Sequence, residues 1–77
     1  MEEELQRSLL SAIARMTETL GNAEGAARRG ELDGAMVFIA ALEQDARGSA
    51  EALAHALGAA EDLKRTREDL RKAYGGD

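Results

Sequence analysis

At 77 residues the chain has room for one small domain, whose limited core makes self-association or a partner an expected source of further stability. Ten Lys and Arg against fifteen Asp and Glu leave a net charge of −5, and the sequence has no cysteine. The charge argues against nucleic-acid binding, which needs cationic groups to displace phosphate counterions, and the missing cysteines exclude disulfides.

The first helix is predicted over residues 2–29. Glu2, Glu3 and Glu4 suit the positive end of a helix dipole, and Arg28 and Arg29 suit the negative end. Its apolar seam runs Leu9, Ile13, Met16, Leu20, Ala23 and Ala27, with Leu5 before it, at alternating gaps of three and four. The acidic N-terminus has the wrong charge for a signal peptide. The longest apolar run, Ala35 to Leu42, is eight residues and too short to span a bilayer. A cytoplasmic protein without membrane contact is therefore expected.

Arg28-Arg29-Gly30-Glu31-Leu32-Asp33-Gly34 is the strongest turn signal. Gly30 is placed to take a left-handed C-cap, and Asp33 to N-cap the next helix. That second helix is predicted over 33–74, because no proline occurs anywhere and alanine is abundant. Its seam passes through Ile39, Leu42, Ala46, Ser49, Leu53, Ala56, Ala60, Leu63, Arg67, Leu70 and Tyr74. The expected architecture is all-α: an antiparallel hairpin of two helices, forming a four-helix bundle when two copies dimerise. If the turn is centred near residue 31, level partners have numbers summing to about 62. Leu9, Ile13, Met16, Leu20, Ile39, Leu42 and Leu53 are the expected shared core.

Gly21, Gly25, Gly48 and Gly58 oppose this reading, since each costs about 1 kcal/mol inside a helix relative to alanine. A break at Gly48, where Ser49 could cap a restarting helix, gives the alternative of a three-helix bundle.

Residues 1–77 form a single helical domain on this reading, and 61–77 is a projecting or frayed end. Intramolecular cover ends near residue 60, so residues 61–74 extend beyond it by about 20 Å at 1.5 Å per residue. Leu63, Leu70 and Tyr74, with Arg67 on the same stripe, are the expected interaction surface, because exposed apolar positions on a lone helix call for cover.

Chemistry has little to work with. His55 is the only histidine, four residues after Glu51, and no second histidine or cysteine completes a metal site. The hydroxyl residues lack a glycine-flanked elbow, and Gly21-x-x-x-Gly25 lacks the Gly-Lys-Ser/Thr ending of a phosphate loop. Glu61/Arg65 and Glu68/Lys72 have the spacing of solvated ion pairs. The expectation is a protein that is not an enzyme, with no cofactor, metal or small-molecule substrate.

Two functional classes follow. The first is a helical assembly module that associates with itself, most simply as a dimer. The second is a small acidic binder of a larger protein, such as a secretion chaperone or a phage inhibitor. The proportions resemble those of the small hairpin co-chaperones of type III secretion systems, with Arg29-Gly30 at the turn and a long helix over 33–74. The resemblance covers architecture and one dipeptide, and implies no particular functional residue.

Overall fold

The computed structural model describes residues 2–75, and those residues are all-helical. Helix α1 spans Glu2–Arg28, α2 spans Leu32–Leu57 and α3 spans Ala60–Leu70, followed by a π-helical turn at Arg71–Gly75. The order in space is α1, α2, α3: α2 packs against both neighbours, and no contact joins α1 to α3 among the described residues.

Both reversals are built the same way. Gly30 takes φ 77°; its N–H donates to the Ala27 carbonyl, while the Glu31 N–H donates to Ala26. Gly58 takes φ 64°; its N–H donates to His55, and the Ala59 N–H donates to Ala54. This is the double bond of a Schellman cap, which satisfies carbonyls left over at a helix end and needs a residue without Cβ strain. The Gly30 cap is the one expected.

The Gly58 cap corrects the second helix. It is not continuous over 33–74, and the chain reverses at residues 58–59. The alternative break at Gly48 is also absent, because Gly48 lies inside α2 with open space where a Cβ would stand. Ser49 therefore caps nothing. Asp33 is not the N-cap either: α2 begins at Leu32 after Glu31, without a side-chain cap bond.

The three helices lie in a layer. Principal extents are 42 × 35 × 13 Å, so the short dimension is about one helix thick. The radius of gyration is 14.8 Å, against about 11.5 Å expected of a compact chain of this length. Among the described residues no large side chain is buried; the buried residues are Ala12, Ala23, Ala26, Ala35 and Ala54.

The contact line between α1 and α2 differs from the expected seam. In α1 it runs Leu5, Leu9, Ala12, Met16, Thr19, Ala23 and Ala26, all buried or half-buried. In α2 it runs Ala35, Phe38, Leu42, Ser49 and Leu53. Leu9, Met16, Leu42 and Leu53 of the expected core are thus half-buried. Ile13, Leu20 and Ile39 are instead exposed, at 43%, 56% and 55%. Alanine lets the two backbones approach closely, whereas an isoleucine on the same line would hold them apart. Ala26 is 1% exposed, and a Cβ built on Gly34 would meet its Cβ at 3.8 Å. With Ala26 level with Gly34, partner numbers sum to about 60 rather than 62.

Candidate association surface

Successive helical residues are about 100° apart, so residues one place after a contact line share one flank and residues one place before share the other. The two flanks of the hairpin are chemically different. An open groove on one side has the contact-line residues Leu5, Leu9, Ala12, Ser49 and Leu53 as its floor, and its rim is Ser8, Ser11 and Arg15 of α1 with Gln44, Asp45, Gly48 and Ala52 of α2. In α1 the rim residues precede the line, and Gly48 likewise precedes Ser49 in α2. Preceding residues of both antiparallel helices therefore share the polar side.

Residues following the line must share the other side. The large apolar ones are Leu10, Ile13 and Leu20 of α1 and Met36 and Ile39 of α2, with Leu32 and Leu57 on the same stripe near the ends of α2, while Glu24 and Glu43 fall on the same side. Met36 is 63% exposed, and Leu32 and Leu57 are also open to solvent. One side of the layer is mainly polar, with Val37 as its exposed apolar exception, and the opposite side carries most of the large apolar side chains.

The expected interaction residues of the C-terminal segment separate into two pairs. Leu63 is half-buried and lines a depression with Ala54 and His55 of α2, while Arg67 reaches Glu51 at 3.4 Å. Both are engaged within the chain, because α3 turns back along α2 instead of projecting. Leu70 and Tyr74 are exposed, Tyr74 at 85%.

Charged groups form exposed pairs. Arg28 meets Glu24 at 2.9 Å, Arg29 meets Glu31 at 3.0 Å, and Arg65 takes Asp62 rather than Glu61. Such exposed pairs contribute at most ~1 kcal/mol. Glu51, four residues before His55, is the carboxylate that Arg67 meets. Among the described residues no three His, Cys, Asp or Glu side chains are grouped to hold a metal. Among the same residues no helix is long and apolar enough to cross a membrane.

Periodicity missed the apolar side because it assigned Ile13, Leu20 and Ile39 to the hairpin's own seam. The signal was present as a second stripe, displaced by one residue and richer in large side chains. Comparisons of the chain with family models, with curated proteins and with solved structures find no match.

Proposed function

We propose that the chain is a non-catalytic assembly module that self-associates, its hairpin completing a four-helix bundle with that of a second copy. One observation carries this reading. The chain exposes 6352 Å², about 1,800 Å² more than the ~4,500 Å² typical of a folded monomer of 8.2 kDa. A standard interface covers about 800 Å² per partner, so the excess exceeds what one such contact requires. The apolar side of the layer is where cover is most favourable, since each buried Ile, Leu or Met side chain contributes roughly 1.5–3 kcal/mol.

Light scattering across a concentration series tests the proposal. A dimer of twice the chain mass, weakened by Ile39→Asp on the apolar side, supports it. A monomer at all concentrations refutes it and favours the second class, an acidic binder that is completed by a larger protein.

A further inference from the structure

We infer that the second copy lies antiparallel across the apolar side, α1 against α1 and α2 against α2, about a two-fold axis passing near residues 15–16 and 44–45. This arrangement rests on the self-association reading and adds a specific geometry to it.

The charges of α1 set the register. Glu3 and Arg7 stand near its start, and Glu24 and Arg28 near its end. Aligned antiparallel, so that paired numbers sum to about 31, two α1 helices place Glu3 of one copy opposite Arg28 of the other, and Arg7 opposite Glu24. Both of these pairs, and Glu2 with Arg29, then join an acid to a base. Aligned parallel, the same helices put Glu2, Glu3 and Glu4 against their own counterparts. Arg28 already meets Glu24 within the chain at 2.9 Å. The second copy's Glu3 and Arg7 would extend that pair into a four-membered chain of alternating charge at each end of the bundle.

The register chosen on α1 makes an independent demand on α2. Level residues of the hairpin sum to about 60, so α2 must pair with its copy at a sum of about 89. That sum places Leu32 opposite Leu57, Met36 opposite Leu53, and Ile39 opposite Ala50. Leu32 and Leu57 are both exposed, Met36 falls level with Leu53, which the hairpin's own contact line already half-buries, and the bulky Ile39 faces a small residue. Glu43 interrupts the stripe near its centre, and within one residue of the same register it meets Arg47 of the other copy. The α1 charges and the Leu32–Leu57 and Ile39–Ala50 pairs of α2 are compatible with one axis.

Single-cysteine variants distinguish this geometry from other dimers, and the native chain has no cysteine to interfere. Thr17 and Glu3 are exposed, so Thr17→Cys and Glu3→Cys leave the fold in place. Spin labels at position 17 should lie only about 5 Å apart along the bundle axis, and labels at position 3 about 37 Å apart, from 1.5 Å per residue. Correspondingly, Thr17→Cys should cross-link readily and Glu3→Cys should not. Dimerisation should weaken at least tenfold in Glu3→Arg and in Arg28→Glu, and recover in the double variant. Equal label distances at both positions, or no recovery in the double variant, overturns the antiparallel geometry while leaving self-association standing. A chain that stays monomeric overturns both.

Discussion

Replacing Ala26 by leucine should unfold the hairpin more readily, whereas the same change at Ala27 should not. Ala26 is 1% exposed and stands level with Gly34, where even an added Cβ would already be in van der Waals contact at 3.8 Å. A leucine there inserts three further carbons between two backbones, forcing them apart; overpacking of this kind costs about 1–3 kcal/mol. Ala27 is exposed and follows the contact line by one residue, so Ala27→Leu should change stability by no more than about 0.5 kcal/mol. Each kcal/mol shifts the melting temperature of a chain this size by roughly 4–8 °C. Thermal unfolding followed by circular dichroism, run on both variants at one low concentration, resolves the difference. The reverse ranking, with Ala27→Leu the damaging change, would restore the seam through Ile13, Leu20 and Ala27 and refute the packing described here.

Gly48→Ala should raise stability by about 1 kcal/mol, because the site is mid-helix with open space around the added methyl, and urea unfolding reads the gain. Gly58→Ala should instead cost about 1–2 kcal/mol of left-handed strain at φ 64°, and the variant can relieve it by running α2 straight into α3; loss of the Arg67–Glu51 contact would be its mark in nuclear magnetic resonance spectra. Leu42→Ala, half-buried between the helices, should cost about 1–2 kcal/mol, less than a fully buried leucine, in the same unfolding experiment. Removing residues 61–77 should leave association intact, since the apolar side belongs to the hairpin; loss of the dimer in sedimentation would move the contact to Leu70 and Tyr74.

The helical class and the first turn were readable from residue types alone. No proline, many alanines and the Arg28–Gly34 segment act locally, and local chemistry survives into the fold. The second reversal was harder to read, because four glycines offered themselves as breaks and Ser49 made Gly48 the more attractive. What distinguishes Gly58 is the pair of carboxylates, Glu61 and Asp62, in the first turn of the next helix, where Gly48 is followed at the same spacing by Glu51 alone. The contact line was ambiguous for a different reason. Two stripes one residue apart overlap on a helix face, and periodicity cannot choose between one rich in alanine and one rich in isoleucine and leucine. Close approach of two backbones chooses the small residues, and that is a property of the pair of helices rather than of either sequence.

Because α3 touches α2 alone, the energy of the chain divides at Gly58. Opening α3 exposes Ala54 and Leu63 and breaks one exposed ion pair, while every contact between α1 and α2 survives. The amides of residues 60–75 should therefore exchange with solvent deuterium through a low-energy local opening, long before those of the hairpin. Substitutions in α1 and α3 touch no common side chain where they face opposite flanks of α2, and with no direct contact between α1 and α3 their effects on unfolding should add. The chain carries one cooperative unit with a hinged helix beside it, and Gly58 is the boundary at which the two can be separated.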